Sequence, residues 1–289
     1  MNNAEYDILM VGHFARDLLV IDGQGEMANG GAVYYGSVAL RRLGVSVAVV
    51  TRLHPKDFAC LDELRQEGVV VYAAPAPETS GIANYYNSAD MERRICKPIG
   101  FAGAIRPEDI PDVRARVIMV ASIIAGEVPL PLLQLLSKKA PIGLDVQGYV
   151  RVREGDDLIF KPWAEMEAGL ACVTYLKVDR AEAEHLTGKT DLHEAARTLA
   201  AYGPKEIVLT QSSGVTVFAE GHFYEAPFNP RSLAGRTGRG DTCFSTYIGK
   251  RLTCSPEIAC KWAGIVTSRK QEQPGPWRGS ADELAHQIQ

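Results

Sequence analysis

Residues 235–244 read GRTGRGDTCF, and this stretch decides how the fold of the chain is interpreted. Three glycines fall within six residues and are followed by Asp241. Apolar residues then recur four positions apart, at Phe244, Ile248 and Leu252, which predicts a helix with Asp241 in its first turn. A glycine-rich loop at a helix N-terminus can present free backbone N–H groups to an anion, helped by the positive end of the helix dipole.

The same loop permits a chemical and a structural interpretation. A carboxylate beside a phosphate cradle can accept the proton of an attacking hydroxyl, which is what phosphoryl transfer to an alcohol requires. Alternatively, Asp241 is a helix cap and the glycines form an ordinary turn. The local pattern leaves both interpretations open, and the rest of the chain has to decide between them.

Composition narrows the class of protein. A chain of 289 residues with net charge −4 fits an α/β domain, and the absence of a basic block argues against a nucleic-acid partner. The six cysteines are scattered, which predicts free thiols in a reducing compartment and no structural metal. The N-terminus lacks a signal-peptide pattern, and the longest apolar stretch, residues 117–125, is too short for a bilayer. We therefore expect a cytoplasmic protein without membrane contact.

Strand and helix patterns alternate along the chain. Strands are predicted over residues 8–11, 45–50, 69–73, 117–122, 142–145, 174–178 and 207–211. Helices are predicted over residues 31–43, 58–66, 131–138, 180–186 and 192–200. This alternation predicts a mostly parallel sheet covered by helices on both faces, with ligands bound beyond the carboxyl ends of the strands.

Two regions interrupt the alternation. Residues 18–25 and 82–98 are typical of exposed strands with turns and have no helix of their own. They predict either a small β-flap, a lid over the main sheet, or surface hairpins without function. We expect one domain over residues 1–289, with lid segments near residues 14–29 and 81–100.

Four motifs together resemble the ribokinase-like (pfkB) family of carbohydrate and nucleoside kinases. The family signature Asp-Thr/Pro-Thr-Gly-Ala-Gly-Asp is matched at Thr237, Gly238, Gly240 and Asp241. A glycine pair that opens a helix ending in Leu-Gly is matched by residues 30–44.

The other two motifs lie between these. Asp179 and Glu182 resemble the family's Asn-x-x-Glu, with Asp in place of Asn, and residues 208–214 look like its Val-Thr-x-Gly-x-x-Gly turn. The resemblance covers essentially the whole chain in the right order. It implies a three-layer α/β/α domain with a mostly parallel central sheet and a small lid.

The resemblance also implies roles for individual residues. Asp241 is the expected base, and the backbone of Gly238, Arg239 and Gly240 would hold the developing charge. The donor would be ATP, with Mg²⁺ as cofactor. The nucleotide is expected to lie near residues from two motifs, namely Thr210, Gly214, Thr237, Gly238 and Gly240. Glu182 and Asp179 would help to place Mg²⁺ through water, while their spacing equally fits a helix capping box.

The acceptor is expected to lie between the sheet and the lid. Asp17 matches the family acid that binds substrate hydroxyls, and a carboxylate that accepts two hydroxyl hydrogens suits a polyol. The further substrate-binding candidates are Gly30, Gly31, Tyr35, Asn84, Arg94, Gln147 and Arg151. For the last four of these a solvated surface role is the alternative.

Several residues depart from the family pattern. Gly235 and Arg236 replace the start of the signature, which questions the potassium-type cation site of many relatives. Arg239 replaces a small alanine and either adds charge stabilisation or points to solvent. Tyr35 replaces an asparagine that often binds substrate, which shifts the expected substrate away from ribose. Residues 145–151 and the short flap look more like the myo-inositol-kinase-like branch.

The expected function is thus ATP-dependent phosphorylation of a hydroxyl on a small sugar or polyol, with an inositol among the candidates. One alternative is a nucleoside kinase, because the pairs Tyr34-Tyr35 and Tyr85-Tyr86 could stack on a base. Another is a catalytically inactive protein that senses a sugar or nucleotide. Relatives often dimerise through the flap, so a homodimer through the lid is a further expectation.

Overall fold

The computed structural model describes residues 4–288, and the side chains of residues 90–94 lie outside the described part. The strands in chain order are β1 (Glu5–Val11), β2 (Ala15–Ile21), β3 (Gln24–Gly30), β4 (Val47–Leu53), β5 (Val70–Pro75), β6 (Gly81–Asn87), β7 (Asp90–Gly100), β8 (Arg114–Val120), β9 (Ile142–Asp145), β10 (Arg151–Glu154), β11 (Asp157–Phe160), β12 (Tyr175–Asp179), β13 (Glu206–Thr210), β14 (Gly214–Ala219) and β15 (His222–Pro227). The α-helices in chain order are α1 (Ala32–Arg42), α2 (Asp62–Gln66), α3 (Leu130–Ser137), α4 (Gln147–Val150), α5 (Met166–Leu170), α6 (Arg180–Thr187), α7 (Leu192–Ala200), α8 (Arg239–Arg251), α9 (Pro256–Gln271) and α10 (Ala281–Ala285).

One large sheet forms the centre of the molecule. Within the described residues it has nine strands, in the order β15-β14-β13-β12-β9-β8-β1-β4-β5. The strands from β13 to β5 run parallel, and β14 and β15 add an antiparallel hairpin at one edge. Parallel neighbours need crossover connections, which the helices supply. The predicted α/β fold with a mostly parallel sheet is confirmed.

Helices cover both faces of this sheet. Ile8 and Met10 of β1 belong to the core shared with α1, α8 and α9, whereas Leu9 and Val11 belong to the core shared with α3, α6 and α7. Successive side chains of a strand point to opposite faces, so a strand that is apolar at every position is buried on both sides. The result is the predicted three-layer arrangement.

The helix predicted over residues 58–66 is the main correction to the sequence analysis. The chain enters a 3₁₀ helix over Pro55–Leu61, and only Asp62–Gln66 is α-helical. The proline fixes the backbone angle of the first helical residue, so the helical turn begins before the apolar pattern does. The His54 side chain caps this turn by accepting the Lys56 N–H.

The strand predicted over residues 45–50 also differs in its bounds, because β4 runs over Val47–Leu53. Gly44 has a φ of 82°, and the Val45 N–H still donates to Leu40 O, so both residues belong to the turn that ends α1. The apolar pattern alone does not separate a helix C-terminal turn from the strand that follows it.

A second sheet has the order β3-β2-β6-β7 and occupies the predicted lid segments. β2 and β3 form an antiparallel hairpin whose turn holds Asp22 and Gly23 at φ of 49° and 84°. Two positive φ angles are typical of a tight turn that matches the twist of a hairpin. β6 joins β2 in parallel and continues into β7, so the two interruptions of the sequence pattern form one structure.

The lid also exposes apolar side chains. Ile95 is 65% exposed, and Met27 and Ile99 are each nearly half exposed. Exposed apolar patches of this kind often mark contact surfaces. The homodimer through the lid stays a prediction.

The six cysteines are free thiols. Within residues 4–288, no helix combines the length and apolar composition that crossing a bilayer demands.

Candidate active site

A cavity of about 360 Å³ lies where the carboxyl ends of β9, β12 and β13 meet the lid. Most of the residues singled out in the sequence line it together. These are Asp17, Gly31, Tyr35, Asn84, Gln147, Arg151, Asp179, Thr210, Thr237, Gly238, Arg239, Gly240 and Asp241. Ligand sites in parallel sheets form beyond these strand ends, as the sequence analysis expected.

The glycine-rich loop ends at the cavity wall, where α8 begins. Gly238 is the N-cap residue with a φ of 84°, and the Thr242 N–H donates to its carbonyl. A Cβ at this position would lie 2.4 Å from the Tyr35 ring, so both the backbone angle and the close packing require glycine. The first turn of α8, which carries Gly240 and Asp241, therefore faces the cavity with its N-terminal end.

A buried lysine that the sequence analysis missed lies behind this first turn. Lys177 lines the cavity, and its Nζ is 3.1 Å from Asp145 Oδ1 and 3.5 Å from Glu182 Oε2. A Cβ at Gly240 would lie 3.5 Å from the same nitrogen, so the lysine touches the loop. Burial lowers the pKa of Lys177, but Asp145 and Glu182 raise it by more, and the side chain is a fixed cation.

The motif that resembles Asn-x-x-Glu forms a capping box. The Glu182 N–H donates to Asp179 Oδ1 at 2.8 Å, and the Asp179 N–H donates to Glu182 Oε2 at 2.7 Å. The helix capping box, which the sequence analysis gave as the alternative to a metal-binding role for this pair, is therefore formed. Glu182 is fully buried and does not line the cavity, whereas Asp179 does.

The same pair is expected to help to place Mg²⁺. No three His, Cys, Asp or Glu side chains among the described residues come together as a metal cage. Magnesium is often held by one or two carboxylates together with water and substrate phosphates, so a cage is not required. Glu182 Oε1 is buried without a hydrogen-bond partner, and the Asp179 carboxyl borders the cavity. These residues fit a magnesium ion held mainly by the phosphate donor, and the role stays a prediction.

One end of the cavity is rich in positive charge. Arg180, Arg236 and Arg239 line it together with Lys177. The Arg180 guanidinium donates to Gln211 Oε1 at 2.9 Å, and Arg239 Nη1 is 3.5 Å from Gln271 Oε1. Planar guanidinium groups bind phosphate oxygens with two parallel hydrogen bonds. This end of the cavity can bind a polyanion.

The side of the cavity under the lid carries a carboxylate and amide groups, and Arg151, which follows α4, also lines the cavity. Asp17 is 6% exposed and accepts the Ile82 N–H at 2.9 Å, and Asn84 is 3% exposed. Gln147 Nε2 donates to the Ile123 carbonyl, which directs the amide towards the cavity. A carboxylate and two amides bordering one space can exchange hydrogen bonds with a molecule that bears several hydroxyls.

Among the described residues, Gly30, Gly214 and the buried Glu182 do not line this space. Gly30 lies beneath Asp17, because a Cβ there would be 2.1 Å from Asp17 Oδ2. Gly214 begins β14, where a Cβ would be 2.6 Å from Ala226 O. The side chain of Arg94 lies outside the described residues. Gly31 does line the cavity, with a φ of 88°.

The chain is similar to known proteins over most of its length. Residues 4–274 match the profile of the pfkB family carbohydrate kinases. A cytidine kinase from Thermococcus kodakarensis is 24% identical over 278 residues, which cover 91% of this chain and 95% of that protein.

Solved structures give a closer comparison. A pyrophosphate-dependent kinase of the ribokinase family, solved with sulfate, is 38% identical with a TM-score of 0.88, covering 94% of this chain and 97% of that one. A structure of such a kinase with a pyrophosphate analogue and myo-inositol is 37% identical over the same shares, also with a TM-score of 0.88. Arabidopsis thaliana ribokinase shares the fold, at 18% identity, a TM-score of 0.78 and coverage of 98% and 99%. The chain belongs to the pfkB family of carbohydrate kinases.

Proposed function

We propose that this protein transfers a phosphoryl group from inorganic pyrophosphate to a hydroxyl of a cyclic polyol of the myo-inositol class. The observation that carries the proposal is the division of one cavity into two chemically different ends, with Asp241 and the N-terminus of α8 on its wall. A cationic end suits a phosphate donor, and an acid-and-amide end suits a hydroxylated acceptor.

The donor assignment rests on what the cationic end lacks. Apart from Ala181, the lining contributed by residues 179–181, 210–212 and 236–239 consists of polar or charged residues and Gly238. A nucleoside base is normally bound against apolar and aromatic surface. The related structures at 37% and 38% identity are of kinases described as pyrophosphate-dependent. ATP, expected from the wider family, is the second candidate donor.

The acceptor assignment rests on the lid side of the cavity. Asp17, Asn84 and Gln147 offer a carboxylate and two amides to one small volume. The polyol in the related structure is myo-inositol. A nucleoside acceptor, as in the cytidine kinase, would need a stacking platform; Tyr35 is instead packed against Gly238.

The mechanism follows from the arrangement of these groups. Asp241 takes the proton of the acceptor hydroxyl as that oxygen forms a bond to the terminal phosphorus of the donor and the bridging P–O bond breaks. Backbone N–H groups at the start of α8, with Lys177 and Arg239, stabilise the charge on the phosphoryl oxygens. Bound magnesium supplies charge neutralisation on the donor phosphates. Positioning and charge stabilisation account for most of the catalysis of phosphoryl transfer.

A matrix of donors and acceptors tests the proposal. Purified protein is incubated with pyrophosphate or ATP against myo-inositol, other inositols, ribose, fructose and cytidine, and phosphomonoesters are detected by ³¹P NMR. We expect product with pyrophosphate and an inositol. Turnover with ATP alone would overturn the donor assignment, and turnover of cytidine alone would overturn the acceptor assignment. Thermal shifts without turnover across the matrix would favour a sensor.

A pair of arginine variants tests whether Arg180 binds the donor or whether the loss of any positive charge has the same effect. Arg180→Met is expected to raise the KM for pyrophosphate about threefold to tenfold and to leave the acceptor KM unchanged. The control is Arg65→Met, because Arg65 lies on α2, away from the cavity, and pairs across its own helix with Asp62. Equal donor KM values for the two variants would remove Arg180 from the donor site.

A further inference from the structure

Lys270 is a buried lysine that the proposed mechanism does not use. It lies near the C-terminal end of α9 and is 2% exposed. Its Nζ donates to the Gly235 carbonyl at 2.6 Å and lies 5.0 Å from the centre of the Tyr35 ring. The ion pairs of the described residues include none for Lys270, although Asp241 is near enough to raise its pKa.

A buried ammonium without a carboxylate partner is costly, because removal from water disfavours its charged form. Such groups are rarely found inside proteins unless they are paired. The partial compensation available here comes from a carbonyl oxygen, an aromatic face and a more distant carboxylate. The site therefore carries an excess of positive charge, which an anion bound nearby would offset.

The lysine contacts the glycine-rich loop and an aromatic ring that supports this loop. Its Nζ holds the carbonyl of Gly235, while the Gly235 N–H donates to Gln271 O at 2.8 Å. A Cβ at position 235 would lie 1.7 Å from Gln273 O, so the loop is pressed against the end of α9. At its other end, the loop rests on the Tyr35 ring beneath Gly238. Lys270 therefore contacts the first residue of the loop and the ring that supports its last turn.

We propose that the Lys270 ammonium is a built-in cation that holds the 235–238 loop in its anion-binding form and becomes fully compensated when the phosphate donor binds. The inference deepens the proposed function and rests on it. Lys270 does not line the catalytic cavity, so it acts on the donor through the loop and through the electric field, as a positioning residue.

The charge of Lys270 is expected to respond to pH. Burial lowers its pKa to about 7, and Asp241 opposes this shift. The other ionisable groups near it are Tyr35 on α1, Arg239 at the start of α8, which contacts the neighbouring Gln271, and the Arg269–Glu272 pair at the end of α9. Arg231, Arg278 and Glu283 line a cavity together with it. A donor polyanion raises this pKa, so donor binding should take up a proton near neutral pH. The kcat/KM for the donor should fall as pH rises above about 7.

A second cavity makes this position open to chemical rescue. Lys270 lines a space of about 450 Å³ together with Trp277 and Arg278. A small cation that enters there can occupy the place of the missing ammonium in a variant with a shortened side chain. The proposal therefore predicts rescue of Lys270→Ala by methylammonium ions.

The experiment compares Lys270→Met, Lys270→Arg and Lys270→Ala with the wild type, using whichever donor proves active. Lys270→Met should raise the donor KM about 10- to 100-fold, the size of one lost charged hydrogen bond, and leave the acceptor KM unchanged. Its Tm should be equal to or above that of the wild type, because an uncompensated buried charge is removed. Lys270→Arg should still bind the donor, and its kcat/KM for the donor should no longer fall as pH rises above about 7.

The control is Lys250→Met, because Lys250 also lies over an aromatic ring, that of Trp262 at 3.9 Å, and does not line the cavity. It should leave both KM values unchanged. An unchanged donor KM in Lys270→Met, or a lowered Tm with both KM values raised equally and no rescue, would overturn the proposal. If Lys270→Met fails to fold, identical pH profiles for the wild type and Lys270→Arg would overturn it.

Failure of this inference differs from failure of the proposed function. If no donor is turned over, binding of imidodiphosphate is measured by calorimetry in buffers of different ionisation enthalpy. Proton uptake by the wild type and its absence in Lys270→Met would support the inference without any turnover. Binding without proton uptake in the wild type would overturn it.

Discussion

Tyr86 on lid strand β6 and Thr237 in the glycine-rich loop form a hydrogen bond of 2.9 Å between their hydroxyls, although 151 residues separate them in the chain. The Tyr86 side chain is buried, and Thr237 lines the cavity. The lid that covers the acceptor end is thereby joined to the loop that faces the donor. A conformational change at one end of the cavity can be transmitted to the other through this contact.

Loss of the hydroxyl pair should weaken this coupling. Tyr86→Phe and Thr237→Val should each lower kcat/KM for the acceptor about threefold to tenfold, the usual worth of one buried hydrogen bond. The kcat/KM of the double variant should be no lower than that of the less active single variant, because both substitutions remove the same bond. Steady-state kinetics of the two single variants and the double variant measure this coupling, with Tyr224→Phe on β15 as the control. Fully additive losses would show that the two hydroxyls act separately.

Lys177 offers a test of the charge behind the loop. Lys177→Met should lower turnover about 100-fold, since one preorganised donor to the developing charge is removed. It should also lower the free energy of unfolding by about 3–5 kcal/mol, because Asp145 and Glu182 are left as buried unpaired acids.

A compensating change separates these two effects. Adding Asp145→Asn to Lys177→Met removes one unpaired carboxylate, so part of the lost Tm should return in calorimetry while turnover stays low. If turnover returns together with Tm, Lys177 is a structural residue and its place in the mechanism is wrong.

The burial of Glu127 should make the free energy of unfolding depend on pH. It is fully buried and accepts the N–H groups of His13, Ile123 and Ile124. Burial raises its pKa to about 7, against these hydrogen bonds. The folded protein thus binds a proton that the unfolded chain releases above about pH 4.5, and stability falls as pH rises from there to about 7.

Glu127→Gln removes this slope. The free energy of unfolding of the variant, minus that of the wild type, should rise by up to about 3 kcal/mol between pH 4.5 and 7.5. The variant is also less stable by a constant amount, because the N–H group of the new amide faces a backbone N–H. His13, whose pKa burial lowers to about 3, contributes the opposite slope in both proteins. Urea unfolding at several pH values measures the difference, with surface Glu154→Gln as the control. Parallel curves would refute the assignment.

The sequence predicted the elements whose pattern is local. Ile142–Asp145 and Leu192–Ala200 have the predicted bounds, because short apolar runs and helical spacing are read directly from neighbouring residues. The edge hairpin β14–β15 and the small hairpin β10–β11 did not stand out, since their pairing is antiparallel and partly exposed and depends on contacts outside each segment.

The site divides in the same way. The loop and Asp241 were found because three glycines and the aspartate lie within seven consecutive residues. Lys177 and Lys270 were missed, because whether a lysine is buried depends on what packs over it. One signal existed for Lys177, which is a charged residue within an apolar strand. The cationic end of the cavity gathers Arg180 and residues 236–239, which only the fold brings together.

The central claim is that Asp241 is the base of a phosphoryl transfer. Its test is turnover of Asp241→Asn with pyrophosphate and myo-inositol, measured beside calorimetric binding of imidodiphosphate. Turnover should fall by roughly two to four orders of magnitude, while imidodiphosphate binding should change by less than about threefold. A variant that keeps more than about a tenth of the wild-type turnover would contradict the claim.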